Sequence, residues 1–304
     1  MFKLISQNSQ FDFLRKRLIA ISISAFLIVV SIISFATQGL NYGIDFSSGY
    51  IIQLEFEEDI KIEKIKDNLL QNNVDDAIVQ YYGSNDEVII KLQESASYNQ
   101  NNINSIIKKS FNDTPFKIQK LDFVGSQVGQ ELRDKGEWAM LVALLSILVY
   151  IGFRFEFIYG IGAILALIHD VIITLGLFSL FRLGFDLSVL SAILAVIGYS
   201  LNDTIVVYDR IRENSSEMFG REPIEILNKS INQTLSRTII TSVTTLFVLI
   251  SLLVFGGPAV SLFSIAMIIG IIIGTYSSIY IAGTSLYFLN ALEKTEEEDA
   301  NQSY

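Results

Sequence analysis

Residues 18–36 read LIAISISAFLIVVSIISFA, a run of 19 residues without a charged side chain. A helix needs about 20 apolar residues to cross the hydrocarbon core of a bilayer. Runs of similar character recur at residues 137–153, 157–181, 187–207, 238–255 and 259–289. The sequence therefore predicts a polytopic α-helical membrane protein with six transmembrane helices.

The composition excludes several other classes of protein. Only 18% of the 304 residues are charged, against about 25% in ordinary soluble domains, and the mean hydropathy is +0.45. A soluble enzyme, a disordered chain and a nucleic-acid-binding protein are excluded as the main identity. Since the chain has no cysteine, it has no disulfide, thiol nucleophile or cysteine–zinc site.

The positions of lysine and arginine predict the orientation, because these residues are retained in cytoplasmic loops. Arg15, Lys16 and Arg17 precede the first span, so residues 1–17 are predicted to be cytoplasmic. The loop predicted at 208–237 carries five basic residues and is placed on the same side, as is the acidic tail 291–304. A cleaved signal peptide is the alternative for the first span. Its 19 apolar residues exceed the 7–15 of a typical signal core, which favours a retained anchor.

Residues 37–136 lie between the first two spans and are too polar to enter the membrane. Alternating and helical patterns predict strands at 50–56, 77–82, 87–92 and 116–123. Helices are predicted around Ile65, with Asp59 as a possible N-cap, and around Ile107. The tetrapeptide GSND at 83–86 is typical of a turn between paired strands. The order βαββαβ predicts a ferredoxin-like α+β domain outside the cytoplasm, acting as a binding or lever module.

Ionisable residues inside the spans are the candidate functional residues, because each costs about 2.5–3.5 kcal/mol to insert at the centre of a helix. Asp203 follows Asn202 near one end of the fourth span, and Asp170 follows the single histidine halfway along the third. Arg237 opens the fifth span. An acid, a base and hydroxyl groups at one depth predict a hydrated relay for a proton or another cation.

Arg237, Thr241, Thr244 and Thr245 share one face of the fifth helix and are predicted to form a polar stripe beside this relay. Gly270 and Gly274, with Ser278 one turn further on, form a small-residue face that predicts helix packing. Structural interpretations remain open for three residues. Arg237 can snorkel to the interface, Asp203 can reach interfacial water, and Asp170 can pair with His169.

Several motifs carry a resemblance to a known family. They are GYSLNDTIVVYDRIREN at 198–214, GIDFSSG at 43–49, ALIHD at 166–170, LSRT at 235–238, FGGP at 255–258 and GTYSSIYIAG at 274–283. Together they resemble the signature of the SecD/SecF family of bacterial protein-export subunits, over about residues 40–290. The chain length is similar to that of SecF-type members.

The resemblance implies a resistance–nodulation–division (RND) fold and a multi-pass protein of the bacterial cytoplasmic (inner) membrane. It implies a heterodimer with SecD, action beside the SecYEG channel, contacts with YajC and YidC, and an unfolded preprotein as substrate. The proton motive force would supply the energy. Asp203 and Arg237 match the family's charged intramembrane positions, while the role of Asp170 is less defined.

The predicted protein is not an enzyme and needs no metal or organic cofactor, only a coupling ion, H⁺ or Na⁺. No G-x-x-x-x-G-K-[ST] motif occurs, which disfavours direct use of ATP. Two alternatives remain at this point. One is a passive scaffold of the translocase, and the other is a small-molecule exporter of the RND superfamily.

Overall fold

The computed structural model describes residues 11–75, 77–82, 84–94, 102–112, 114–155 and 157–289. The predicted acidic tail 291–304 and the first ten residues lie outside the described residues, as does Gly83 of the predicted turn. Within the described residues, the chain forms a bundle of long helices and one small α+β domain.

Six helices in the described part of the chain are long and apolar enough to cross a bilayer, which confirms the predicted architecture. The sixth crossing is composite, because α8 (Pro258–Ser277) continues through a π-helical segment, Ser278–Ala282, into the short helix α9, Gly283–Phe288. The other five crossings are the helices α1 (Arg17–Gln38), α4 (Ser126–Arg154), α5 (Phe157–Leu180), α6 (Leu187–Glu217) and α7 (Pro223–Phe255).

The prediction of a loop at 208–237 was wrong, because this segment is helical apart from a turn at 218–222. Helices α6 and α7 contain 31 and 33 residues, about ten more than a bilayer requires. Charged residues mark where a helix leaves the apolar layer, but its backbone hydrogen bonds can continue beyond that point. Asn214 Nδ2 donates to Ser230 Oγ at 2.8 Å and links the two extensions. The helix that contains the second predicted span likewise begins at Ser126, before the predicted start of the span at residue 137.

The small domain has the predicted order of elements, βαββαβ. Its strands are β2 (Gly49–Phe56), β3 (Ile78–Tyr82), β4 (Ser84–Gln93) and β5 (Phe116–Val124), and its helices are α2 (Ile62–Leu70) and α3 (Ile103–Ser110). All neighbouring strands in this sheet are antiparallel, in the order β3-β4-β2-β5. This is the ferredoxin-like arrangement that the sequence predicts. The core between sheet and helices contains Ile52, Leu54, Ile65, Leu69, Ile90, Ile103 and Ile107.

Two local predictions in this domain were wrong. Helix α2 begins at Ile62 with Lys61 as its N-cap residue, so Asp59 does not cap it. Strand β4 begins at Ser84, three residues before the predicted start at 87, so most of the predicted turn belongs to the strand. In both cases pairing and packing with the rest of the domain override a local preference.

A second, two-stranded sheet joins the base of the small domain to the helical bundle. Strand β1 (Asn41–Tyr42) pairs in parallel with β6 (Gly184–Phe185), which lies between α5 and α6. The rings of Phe46 and Phe185 stack beside it, with their centroids 5.5 Å apart. The α5–α6 connection and the small domain therefore lie at the same end of the bundle.

Candidate functional site

The hairpin of α6 and α7 positions the first pair of candidate residues, Asp203 and Arg237. The helices run antiparallel and touch at Asn214–Ser230 near the turn and at Tyr199–Thr245 further along. Counting between these contacts places Asp203 level with Thr241. Arg237 lies about one helical turn closer to the hairpin turn.

Asp203 is buried, with 3% of its surface exposed, and its Oδ2 atom has no hydrogen-bond partner among the described residues. Arg237 is exposed and lies on the facing helix, about one helical turn from the level of Asp203. The two do not form a salt bridge within the described part of the chain. The structure thus places the two residues at adjacent levels of the hairpin without an ion pair, and Asp203 Oδ2 has no partner among the described residues.

Three further buried polar atoms on this hairpin lack partners in the described structure; two of them, Thr204 Oγ1 and Thr238 Oγ1, lie close to Asp203 in depth. Each of these two threonines directly follows a candidate charged residue, and both are 1% exposed. A buried polar group without a hydrogen bond costs about 1–3 kcal/mol. Together with Asp203 Oδ2, these two atoms make three unpartnered polar atoms at similar depth in α6 and α7.

The threonine hydroxyl groups of the predicted polar stripe donate mainly to backbone carbonyl oxygens of their own helix, α7. Thr241 Oγ1 donates to the carbonyl oxygens of Arg237 and Thr238, and Thr245 Oγ1 donates to that of Thr241 at 2.9 Å. Thr245 also reaches the Tyr199 hydroxyl, at 3.5 Å. Asn202 is exposed and lies on a different side of α6 from the buried Asp203. The structure therefore does not bring Asn202 to the Asp203 carboxylate.

Asp170 lies in a separate buried network that joins four spans. Its Oδ2 atom accepts hydrogen bonds from Ser200 on α6 at 2.5 Å and from Ser277 on α8 at 2.8 Å. Its Oδ1 atom lies 2.8 Å from His169 Nδ1. On the other side of the imidazole, His169 Nε2 lies 3.0 Å from Ser24 Oγ on α1. We call these five residues the Asp170 network.

Sequence reasoning missed the serines of this network. Ser24, Ser200 and Ser277 lie in apolar spans, where a serine hydroxyl commonly bonds to its own helix backbone and carries no distinctive pattern. The only available signal is the helical register, which places Ser200 one turn before Asp203 on α6. This spacing brings the Asp170 network close to the α6–α7 hairpin without merging the two.

Gly270 and Gly274 allow α8 to approach α6 closely. A Cβ atom at Gly270 would lie 2.2 Å from a methyl carbon of Val196, and one at Gly274 would lie 3.0 Å from Ser200 Cβ. The small-residue face therefore holds Ser200 beside Ser277, where both reach Asp170. Within the described residues, no group of three or more histidine, cysteine or acidic side chains is placed to hold a metal ion.

Comparison with protein families places these features in context. Residues 102–291 match the model described as "Protein export membrane protein SecD/SecF, C-terminal", and residues 33–60 match the "SecD/SecF GG Motif". The chain belongs to the SecD/SecF family. Several of the motifs quoted above fall on the central helices α5, α6 and α8, which enclose the Asp170 network.

Individual SecD/SecF proteins match over most of the chain. "Protein translocase subunit SecF" of Calditerrivibrio nitroreducens is 44% identical over 96% of this chain and 98% of that protein. SecF of Pseudomonas aeruginosa is 42% identical over 92% and 91%, and SecF of Escherichia coli O157:H7 is 40% identical over 96% and 94%. The chain therefore corresponds to the SecF-type members of the family, which are subunits of the protein translocase.

Solved structures of SecDF share the fold. The crystal structure of SecDF from Thermus thermophilus matches with a TM-score of 0.81 and 33% identity, over 94% of this chain. SecDF in a super-membrane-facing form matches with a TM-score of 0.76 and 32% identity. The chain spans 39% and 41% of the length of these two proteins.

Proposed function

We propose that this chain is the SecF-type subunit of a Sec protein translocase that uses an ion gradient to help draw unfolded protein across the membrane. The observation that carries this proposal is Asp203, a buried membrane carboxyl group with an unpartnered oxygen and Arg237 nearby. Such a group is costly in a bilayer, and intramembrane carboxyl groups of this kind mark ion pathways and proton relays.

Ion movement through this site supplies enough energy to bias a domain motion. Each elementary charge that crosses the membrane releases about 2.3 kcal/mol per 100 mV. Proton binding to Asp203 would cancel its attraction to Arg237, since the side chain would become neutral. Helices α6 and α7 would then lose a force that holds them together at this depth. Hydroxyl groups beside a carboxylate suit H⁺ or Na⁺ as the coupling ion.

A SecD-type protein is the proposed main partner, because the related SecDF proteins are more than twice as long as this chain. Helices α4 and α7 leave most of their surface open, with 11% and 17% of their most apolar windows buried. These faces are available to lipid and to the partner's helices. The SecYEG channel, YajC, YidC and the unfolded preprotein are proposed as further partners from the family resemblance.

We place both ends of the chain in the cytoplasm of a bacterial inner membrane. Residues 11–16 and the α6–α7 turn lie at the same end of the bundle, because Leu14 N donates to Asn228 Oδ1 at 3.1 Å and Phe11 N donates to Asn232 Oδ1 at 2.9 Å. This end carries the basic residues that favour the cytoplasm. The small domain, joined to β6 at the opposite end, would then be periplasmic.

Reporter insertions test this orientation. Alkaline phosphatase inserted after Asn72 or after Phe181 should be active, because both sites are expected outside. The same enzyme inserted after Phe219 should be inactive, whereas green fluorescent protein there should fluoresce. Phosphatase activity at Phe219 equal to that at Asn72 would overturn the proposed topology.

Substitutions of Arg237 test the ion pathway. Arg237→Met removes the positive charge and should lower gradient-stimulated translocation into inverted vesicles by about tenfold or more. Arg237→Lys keeps the charge but loses the planar guanidinium, so its effect should be milder. Arg221→Met is the matched control. Arg221 is an exposed arginine in the α6–α7 turn, and within the described residues its guanidinium makes only an exposed ion pair, with 3.6 Å between Arg221 Nη1 and Glu225 Oε2. Equal rates for Arg237→Met and the control would contradict the pathway.

A further inference from the structure

The hydroxyl and imidazole groups around His169 can be assigned protons one by one, starting from Tyr276. The Tyr276 hydroxyl lies 2.6 Å from the carbonyl oxygen of Ala20. A carbonyl oxygen only accepts, so Tyr276 must use its single proton in this bond. Tyr276 can therefore only accept a hydrogen bond from its other neighbour, Ser24.

Ser24 Oγ lies 3.2 Å from the Tyr276 oxygen and 3.0 Å from His169 Nε2. Ser24 also has one proton, and the contact with Tyr276 requires it. The contact between Ser24 and His169 is then a hydrogen bond only if His169 Nε2 carries a proton. The chain of contacts from Ala20 through Tyr276 and Ser24 thus determines that His169 Nε2 is protonated.

The second imidazole nitrogen faces Asp170 across 2.8 Å, and this contact also needs a proton, on His169 Nδ1 or on Asp170 Oδ1. Together the two residues must hold two protons. A histidinium with a carboxylate and a neutral histidine with a carboxylic acid both satisfy this count. Hydrogen bonds from Ser200 and Ser277 to Asp170 Oδ2 favour the first form, because they stabilise a carboxylate.

The cost of a buried net charge also indicates that His169 and Asp170 together hold two protons. His169 and Asp170 are 4% and 1% exposed and lie within membrane-spanning helix α5. With two protons the pair has no net charge, whereas with one it would carry a buried negative charge. An uncompensated charge in this environment is strongly unfavourable. Hydrogen-bond geometry and electrostatics therefore agree independently.

Among the described residues, Thr284 and Ser285 line a cavity together with His169 and Ser24, and four polar residues of neighbouring helices contact the pair or its hydrogen-bond chain. They are Ser24 from α1, Ser200 from α6, and Ser277 and Tyr276 from α8; the Tyr276 ring stacks on His169 with centroids 6.2 Å apart. Tyr276 is the titratable member of this set. Asp203 follows one turn after Ser200 on α6, beyond the atoms that contact the pair.

We propose that His169 and Asp170 form a proton-binding site, distinct from Asp203, whose proton on His169 Nε2 maintains the Ser24–Tyr276 hydrogen bond between α1 and α8. When this proton leaves to solvent, Ser24 must turn its own proton to His169. The Ser24 and Tyr276 oxygens would then face each other across 3.2 Å without a proton between them. Loss of the proton thereby weakens the contact between two spans.

Nuclear magnetic resonance can test this site directly, because the chain contains a single histidine. Full-length protein with ¹⁵N-labelled histidine, purified through a histidine-free tag and reconstituted in lipid bilayers, reports His169 alone. We expect Nε2 to be protonated at pH 7, in histidinium or in the neutral Nε2–H form. A neutral imidazole with its proton only on Nδ1 would overturn the proposal.

A pair of variants tests the link to α8. Tyr276→Phe removes the acceptor of the Ser24 proton, so over a pH series the ratio of protonated to unprotonated Nε2 should fall about tenfold, equivalent to one hydrogen bond of about 1.4 kcal/mol. Tyr280→Phe is the control, because its ring packs 5.3 Å from that of Tyr276. It should leave the ratio unchanged. Equal ratios in Tyr276→Phe and the control would overturn the coupling to the α1–α8 contact. None of these measurements depends on Asp203.

Discussion

Asp203→Asn should abolish the stimulation of protein translocation by an ion gradient, with a fall of at least about tenfold in the stimulated rate. Asparagine preserves the size and shape of the side chain but replaces one carboxylate oxygen by an NH2 group, and it cannot take up a proton or carry a negative charge. The measurement is preprotein export into inverted vesicles with and without a gradient. Since the buried Oδ2 has no partner among the described residues, the exchange breaks no described hydrogen bond at that atom.

The control for this experiment is Asp134→Asn, the same exchange at an exposed position on α4. It should leave the rate unchanged, and both variants should co-purify with the SecD-type partner in wild-type amounts. Full gradient stimulation in Asp203→Asn would mean that the carboxyl group does not couple ion movement to export. A passive scaffold would then be the better account of this chain.

Gly176→Ala should destabilise the packing of α1 against α5. A Cβ atom at Gly176 would lie 1.9 Å from Ser31 Oγ and 2.8 Å from Ser31 Cα, so the backbones themselves must separate. Overpacking of this kind costs about 1–3 kcal/mol, or more where the backbone has to move. The measurement is a lower midpoint of thermal unfolding in detergent than that of the wild type.

Gly198→Ala is the matched control, since nothing lies within 4 Å of a Cβ atom at that position of α6. It should leave stability unchanged or raise it slightly, because alanine is the better helix former. Adding Ser31→Gly to Gly176→Ala should recover part of the loss, because it removes the nearest atoms. A Gly176→Ala protein as stable as the Gly198→Ala protein would contradict the close approach of the two helices.

The αβ pattern of the small domain could be predicted because each of its elements has a local signature. Alternation marks the strand around Ile52, and helical spacing marks the helix around Ile107. The pairing of Asn41–Tyr42 with Gly184–Phe185 could not be predicted. These strands are two residues long and more than 140 residues apart, so no periodic pattern distinguishes them from the loops around them.

The candidate site was predictable only in part. Asp203, Arg237 and Asp170 stand out because an ionisable residue is rare in an apolar span. Their partners do not stand out in the same way. Thr241 has the spacing of a polar stripe but bonds to its own helix, whereas Ser24 and Ser277 have no distinguishing pattern and contact the buried pair.

The sequence by itself determined the membrane class, the number of spans and the depth of each ionisable residue, because hydropathy and distance along a helix are local properties. Tertiary structure alone decided which polar groups meet. That depends on the rotation and approach of each helix, which close contacts at Gly176, Gly270 and Gly274 set. These contacts place Ser24 and Ser277 on either side of the His169–Asp170 pair, while Asp203 keeps one oxygen without a partner among the described residues.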